Sequence, residues 1–181
     1  MDRRWGKGIL LACVAGLALG WPGQRSDAES EFVDSSLDAV AGRLNSPEAL
    51  GAFLIRQMRF QEDARLFGEA DYWQSPEEFL ARGSGDCEDY ALLAQAVLER
   101  QGVDSFVFSL YGEGGYAHTV CVFLEGGRYS VVNQDRVIRY RAESLEELAT
   151  LLCPRWTWGA VAEKAGHRGK GIRRIWNASL S

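Results

Sequence analysis

The spacing of apolar residues along the chain changes from a helical to an alternating period close to Gly102. Before that point apolar side chains recur every three to four residues, which is typical of amphipathic helices. After it apolar and polar residues alternate, which is typical of half-buried strands. The first half of the chain therefore predicts four helices, at residues 31–44, 47–58, 76–81 and 87–100.

Start and stop signals support the second and third of these helices. Ser46 stands before a proline, and Ser75 is followed three residues later by a glutamate, which is the pattern of a capping box. Gly83 ends the third helix. The polar stretch between these signals, residues 59–71, is interpreted as a loop or a frayed helix.

The second half of the chain predicts an antiparallel sheet. Three alternating runs are joined by short glycine-containing turns, so neighbouring strands must be antiparallel. These strands are predicted at residues 103–111, 116–124 and 129–140. A helix follows at Leu145–Leu152, and residues 171–176 favour an edge strand with its arginines pointing outward. The predicted fold class is α+β, with N-terminal helices and an antiparallel meander packed on the helix that begins at Cys87.

Composition and charge limit the possible functions. With 181 residues, of which 46% are hydrophobic, the chain is long enough for one domain with a single core. Residues 29–154 carry ten basic and twenty-two acidic side chains, whereas residues 155–181 carry six and one. Although tryptophans interleave with the basic residues of the tail, an acidic body argues against binding to nucleic acid.

The first residues have the pattern of an export signal. Arg3, Arg4 and Lys7 precede an apolar run over residues 9–19, which is too short to span a membrane. Residues 1–28 are therefore predicted to be a cleaved signal peptide, and residues 29–181 a single domain in the periplasm or outside the cell. Removal of the signal peptide leaves three cysteines. This odd number suggests one free reactive thiol, with the other two paired or buried.

Cys87 is the candidate nucleophile. It follows two glycines and begins the predicted helix at residues 87–100, where the positive end of the helix dipole stabilises a thiolate. The glycines leave backbone N–H groups free to face an oxyanion. The alternative is that Cys87 is a small apolar filler, as buried cysteines usually are.

A cysteine nucleophile needs a base and a residue that orients it. His118 lies within the second predicted strand and Asp135 lies seventeen residues later on the third, so the two are possible cross-strand neighbours. In that arrangement the aspartate accepts Nδ1–H and Nε2 faces the thiol. Asn133 is another candidate neighbour of the site. A strand histidine is more often a core residue, and His167, the second histidine, lies in a basic context that predicts a solvated side chain.

Three carboxylates beside the thiol oppose its ionisation by like-charge repulsion. Asp86, Glu88 and Asp89 either point away as N-terminal capping groups or bind a hard cation such as calcium through oxygen ligands. Both alternatives are consistent with the residues alone. For the oxyanion, the Cys87 backbone N–H and the indole N–H of Trp73 are the candidate donors.

The string GSGDCEDYA at residues 83–91, with His118 and then Asp135 after it, resembles the bacterial transglutaminase-like cysteine peptidases of the papain-like superfamily, which include the periplasmic LapG-type proteases. The resemblance covers residues 47–140. It implies a papain/transglutaminase-like fold, a triad of Cys87, His118 and Asp135, and attack on a peptide or amide carbonyl through a thioester.

The resemblance also implies calcium near the nucleophile, at the matching positions Asp86, Glu88 and Asp89. No other cofactor is required by the chemistry. The expected partners are a protein or peptide substrate and, at the periphery, an envelope protein, with no nucleic acid. Two alternative functions stay open, which are amine transfer of the transglutaminase type and a non-catalytic binding module with the same fold.

Overall fold

The computed structural model describes residues 36–162 and 172–178. In the described residues the helices are α1 (Leu37–Arg43), α2 (Pro47–Gln57), α3 (Asp63–Leu66), α4 (Pro76–Arg82), α5 (Cys87–Arg100) and α6 (Leu145–Leu152). The strands are β1 (Arg59–Phe60), β2 (Ser84–Gly85), β3 (Ser105–Gly112), β4 (Tyr116–Glu125), β5 (Arg128–Asn133), β6 (Arg136–Ala142), β7 (Trp156–Ala162) and β8 (Ile172–Trp176). The predicted signal peptide and His167 lie outside the described residues. None of the described helices has the length and hydropathy needed to cross a membrane.

Six strands form one antiparallel sheet in the order β6-β5-β4-β3-β7-β8. This confirms the predicted α+β class. Strand β8 is the edge strand that was predicted at residues 171–176. A separate two-stranded parallel sheet joins β1 to β2. This small sheet and β7 were not predicted, because each strand of the small sheet is only two residues long and β7 pairs with β3, far away in sequence.

The prediction of one long third strand at residues 129–140 is wrong. The chain turns back after Asn133, and β5 pairs with β6 so that Asn133 faces Arg136 across the strands. Gln134, with a φ of 52°, and Asp135 form the two-residue turn. Such turns favour glycine or asparagine at positive φ, so the sequence lacked the usual signal. Asp135 is therefore a turn residue rather than a strand residue.

Side chains of the large sheet alternate between two apolar layers. Val107, Cys121 and Phe123 pack in one cluster with the buried residues of α5. Val120 and Val122 point to the opposite face and pack in a second cluster with α6. Each large apolar side chain buried in this way contributes about 1.5–3 kcal/mol. The first of these layers holds α5 against the sheet, so the position of Cys87 is determined by the core.

The predicted caps are present. Ser75 accepts a hydrogen bond from the N–H of Glu78, and Glu78 accepts one from the N–H of Ser75, as a capping box requires. Gly83 ends α4 in the left-handed region, with a φ of 72°. The chain then runs through β2 directly into α5, which brings the thiol of Cys87 to the start of a helix.

Candidate active site

Cys87 is the first residue of α5 and its side chain is half-buried. Because the first N–H groups of a helix have no carbonyl acceptor within the helix, the backbone N–H of Cys87 is one of the donors available at this end. The preceding strand is held by β1, where the Gln61 N–H donates to the Gly85 carbonyl at 2.8 Å. Cys87 thus sits on a fixed strand-to-helix junction.

Asp89, in the first turn of the same helix, is fully buried and accepts three hydrogen bonds. Its donors are the backbone N–H of Gln74 at 2.9 Å, the Gln74 side-chain amide at 2.6 Å and the N–H of Asp86 at 3.1 Å. Burial raises the pKa of Asp89, and these hydrogen bonds oppose that rise. Asp89 therefore fastens the segment before α4 to the start of α5.

Gly85 has no space for a side chain. A Cβ there would lie 2.6 Å from Gln74 Nε2 and in closer contact still with the Asp89 carboxylate. The amide of Gln74 also donates to the Ser84 carbonyl at 3.1 Å and accepts from Arg82 Nε at 3.0 Å. Gly85 is thus required by the close approach of the Asp89 side chain to the backbone.

Five carboxylates lie close together, and we call them the acidic cluster: Asp63, Asp71, Asp86, Glu88 and Asp89. Their oxygens lie within 4.8 Å of one another in the groups Asp63–Asp86–Asp89 and Asp63–Asp71–Glu88. The predicted residues Asp86, Glu88 and Asp89 are therefore close together. Sequence analysis missed Asp63 and Asp71, because nothing in the polar segment 59–71 distinguishes a ligand from a surface acid.

The acidic cluster contains carboxylate oxygens with no partner. Asp63 is 1% exposed and its Oδ1 has no hydrogen bond within the described part of the chain, and the same holds for Oδ1 of Asp86. Burial raises the pKa of Glu88 to about 10, with further contributions from hydrogen bonds to Asp86 and Cys87. Burial likewise raises the pKa of Asp86. Unpartnered, buried carboxylate oxygens in such a group match the oxygen ligands that calcium prefers.

The thiol itself contacts this cluster. Cys87 Sγ donates to Glu88 Oε2 at 3.1 Å. An anionic Glu88 would oppose a thiolate by repulsion, so the state of the cluster affects the nucleophile directly. Trp73, the predicted second oxyanion donor, is 44% exposed, and its indole N–H donates to Asp71 Oδ1 at 2.8 Å. That N–H is therefore engaged in the loop rather than free.

His118 lies near the start of β4, where it pairs with Leu110 of β3. Its Nε2 is 2.8 Å from Asn133 Oδ1, and its ring makes an edge contact with Tyr116. Burial raises the pKa of Tyr90 of α5 to about 12, and the negative charge of Asp135, in the β5–β6 turn, adds to that rise.

The predicted triad is not connected by direct contacts. Across residues 36–162 and 172–178, no hydrogen bond joins the side chains of Cys87, His118 and Asp135 to one another. The other two described cysteines are free thiols, with Cys121 buried against α5 and Cys153 half-buried. Burial raises the pKa of Cys121, which is typical of an inert core thiol.

Comparison with solved structures found similarities of low identity. The chain is similar to calcium-bound LapG of Legionella pneumophila, with 20% identity and a TM-score of 0.47 over 79% of this chain and 75% of that chain. EGTA-treated LapG gives 19% identity and a TM-score of 0.46 over 75% and 76%. A candidate cysteine protease from Cytophaga hutchinsonii gives 12% identity and a TM-score of 0.43 over 77% and 49%.

Comparison with curated protein sequences found no significant match. A family comparison was more informative, since residues 34–142, more than half of the chain, match the bacterial transglutaminase-like cysteine proteinases. The matched region contains α1 to β6 and so includes Cys87, the acidic cluster, His118 and Asp135. The chain therefore belongs to the bacterial transglutaminase-like cysteine proteinase family and is a cysteine peptidase.

Proposed function

We propose that this peptidase hydrolyses peptide bonds of a protein substrate with Cys87 as the nucleophile and His118 as the base. The observation that carries the proposal is the placement of a half-exposed Cys87 at the first position of α5, where the helix dipole and the open N–H groups favour both a thiolate and an oxyanion.

In the proposed reaction His118 takes the proton of the Cys87 thiol, and the thiolate attacks the carbonyl carbon of the scissile bond. The histidine then protonates the leaving amine, and a thioester remains on Cys87. Water, deprotonated by the same histidine, hydrolyses the thioester and regenerates the thiol. The backbone N–H of Cys87 is the first donor to the oxyanion, and Trp73 becomes the second when it releases Asp71.

Asp135 completes the proposed triad. In the β5–β6 turn, near the buried hydroxyl of Tyr90, it supplies a negative charge on the side of α5. Such a charge stabilises the imidazolium that His118 becomes after it accepts the thiol proton.

We further propose that the acidic cluster binds calcium. Asp63 and Asp86 offer oxygens without a partner, and Glu88 and Asp71 complete the set. Asp89 contributes less, because both of its oxygens already accept hydrogen bonds. A bound cation supplies positive charge beside the thiol and so removes the repulsion between Glu88 and a Cys87 thiolate.

Export to the periplasm or the exterior is part of the proposal. The basic residues before the apolar run at residues 9–19 support it. A protein substrate in the cell envelope, with peripheral association with an envelope protein, would follow from that location.

Labelling by iodoacetamide at neutral pH with calcium present tests the assignment of the nucleophile. Cys87 should react faster than an ordinary thiol, and His118→Ala should slow it by about a hundredfold or more. Cys153→Ser is the matched control, because it removes the other half-buried thiol, at the end of α6, and so shows how much of the labelling occurs at Cys153. Equal rates at Cys87 in the wild type and in His118→Ala would contradict the proposal.

Analysis of the products distinguishes peptide hydrolysis from amine transfer. Incubation with an unfolded, dye-labelled polypeptide should give new N-termini, and a small primary amine added at millimolar concentration should not be incorporated into the products. Incorporation without cleavage would favour amine transfer. A fully unreactive Cys87, with neither product, would favour the binding-module alternative.

A further inference from the structure

We propose that an aromatic strip on the sheet binds an extended, acidic segment of the protein substrate. The aromatic strip consists of Tyr111, Trp158 and Trp176, and the guanidinium of Arg174 lies over its central ring. Its members are neighbours on β3, β7 and β8, since Tyr111 pairs with Trp158 and Trp158 pairs with Trp176. The inference rests on the proposed peptidase function and adds the class of substrate.

The aromatic strip lies on the face of the sheet that carries α5. Val107 of β3 packs in one cluster with α5, and Tyr111 shares its face because side chains alternate along a strand. Helix α5 packs on β3, β4 and β5. Trp176, on the edge strand β8, is 64% exposed. The aromatic strip therefore continues this face of the sheet beyond the helix.

The aromatic strip begins at the end of α5 that carries Cys87. Helix α5 has 14 residues and is therefore about 21 Å long. It packs back along β3, which follows it after a short connection, and about six strand residues cover the same distance. Because β3 begins at Ser105, the start of α5 lies level with Tyr111. A peptide bound across the aromatic strip thus leads to the thiol.

The next residues along the chain agree with this placement. Tyr116, the first residue of β4, pairs with Gly112, which follows Tyr111. Burial raises the pKa of Tyr116, and the negative charges of Cys153 and Cys87 add to that rise. The end of the β3–β4 hairpin is therefore close to the thiol.

The rings of the aromatic strip expose their edges more than their faces. Tyr111 stacks on Trp158 with ring centroids 3.9 Å apart and an interplanar angle of 10°. On the side of β8, the guanidinium of Arg174 lies 5.7 Å from the centroid of the Trp158 ring, and Trp176 ends the row at 6.0 Å. Ring faces carry partial negative charge and ring edges partial positive charge. Such a row attracts anionic groups, and only Trp176 offers an open face to a sugar ring.

Charge complementarity favours an acidic occupant. Arg174 forms no ion pair within the described part of the chain, and there the indole N–H groups of Trp158 and Trp176 donate to no acceptor. Residues 29–154 carry ten basic and twenty-two acidic side chains, a net charge of −12. Most of the surface therefore repels an acidic peptide, whereas the aromatic strip supplies unused donors and a positive charge.

Binding of a fluorescein-labelled peptide to the full chain tests this inference. The probe is a short peptide in which glutamate alternates with alanine and leucine, and its controls carry glutamine or lysine in place of glutamate. The protein is Cys87→Ala with calcium present, so that the probe is not cleaved. We expect fluorescence anisotropy to show binding of the glutamate peptide that weakens with added salt. The glutamine peptide should bind about fivefold more weakly, and the lysine peptide should not bind.

Substitutions on β8 locate the binding surface. Trp176→Ala should raise the Kd about tenfold or more, as is typical of an interface tryptophan. Arg174→Gln should raise it about fivefold and reduce the salt dependence. Arg173→Gln is the matched control, because it removes the same charge from the opposite face of the same strand and should bind the peptide like the parent protein. Since Arg174 is exposed, its variant keeps the test decisive if Trp176→Ala folds poorly.

Four results would overturn the inference while the proposed function stands, with alkylation of Cys87 in the wild-type protein still dependent on His118. The first two are equal binding of the glutamate and glutamine peptides, and equal losses in Arg173→Gln and Arg174→Gln. The third is binding of a cello-oligosaccharide in place of the peptide. The fourth is a dimer in sedimentation that Trp176→Ala abolishes, because the aromatic strip would then bind a second copy of the chain.

The proposed function fails separately. An alkylation rate at Cys87 that ignores His118→Ala would overturn it, and with it the substrate role of the aromatic strip, even where the glutamate peptide binds.

Discussion

Gln74 holds the carboxylate of Asp89 with both its backbone N–H and its side-chain amide, at 2.9 and 2.6 Å. Both residues are almost fully buried, with exposures of 1% and 0%. Because Asp89 lies two residues after Cys87, this pair connects the loop before α4 to the helix that begins at Cys87. The position of the thiol therefore depends on a buried polar contact as well as on the apolar core.

Replacing Gln74 with leucine should test that connection. The substitution removes the amide that donates to Asp89 and to the Ser84 carbonyl, while the backbone N–H remains. Since hydrogen bonds to charged groups contribute about 1.5–3 kcal/mol, we expect the free energy of unfolding in urea to fall by about 2–3 kcal/mol. Gln95→Leu on α5 is the control, because that amide donates a hydrogen bond to the exposed Glu99 and not to Asp89. Equal losses in the two variants would contradict this role.

Asp63 should control calcium binding. Its Oδ1 has no partner among the described residues, whereas its Oδ2 accepts the N–H of Tyr72. We expect calcium to raise the melting temperature of the wild type, and Asp63→Asn to abolish most of that increase, since calcium then loses a charged ligand. Without calcium the variant should be at least as stable as the wild type, because an amide relieves repulsion with Asp86.

Glu62→Gln is the matched control for that experiment. Glu62 is exposed and lies outside the acidic cluster, one residue before Asp63. It should keep the full calcium response. If both variants respond to calcium like the wild type, the acidic cluster is not the calcium site.

Stability without calcium should fall as pH rises. Burial raises the pKa of Glu88 to about 10, and raises the pKa values of Asp86 and Asp89. A carboxyl whose pKa is higher in the folded state keeps a proton that the unfolded chain releases. For Glu88, the contribution to the free energy of unfolding is fully present below pH 4.5, the pKa of the group in the unfolded chain. That contribution is lost as pH rises toward 10.

The measurement is the urea midpoint of metal-stripped protein between pH 5 and pH 9. Added calcium should reduce the slope, because the cation stabilises the ionised carboxylates. Glu88→Gln should reduce the slope as well, since it removes the group with the largest shift. A midpoint that rises with pH in the metal-free protein would show that these carboxyls are ionised in the fold without a cation.

The elements that local patterns determine were predicted correctly, and those that depend on distant pairing were not. The serine caps, the glycine after α4 and the start of α5 at Cys87 follow from neighbouring residues. Strand β7 and the β1–β2 sheet exist only through partners far away in sequence. The turn at Gln134 was missed because a glutamine rarely takes positive φ.

The same distinction applies to the candidate site. Cys87 could be identified from its glycines and its helix, and Asp86, Glu88 and Asp89 from their position beside it. Asp63 and Asp71 could not, since only the folded loop brings them to Glu88. Asp135 was predicted as the partner of His118 because it was placed on a strand. The turn at residues 134–135 removes Asp135 from that strand, and the side chain within hydrogen-bond distance of His118 is Asn133.

A pair of glycine substitutions separates packing from backbone entropy. Gly85→Ala places a methyl group against Gln74 Nε2, only 2.6 Å away, and against the Asp89 carboxylate, in a buried place where neither side chain can withdraw without breaking hydrogen bonds. We expect a loss of about 1–3 kcal/mol in the free energy of unfolding, as is typical of overpacked sites. Alkylation of Cys87 should slow in parallel, because the displaced Asp89 no longer holds the start of α5.

Gly42→Ala in α1 is the matched control. A Cβ there meets no atom within 4 Å, so alanine should stabilise the helix by up to about 1 kcal/mol and leave the thiol unaffected. If Gly85→Ala keeps wild-type stability and Cys87 reactivity, the close approach of Asp89 to the backbone is not what positions the nucleophile.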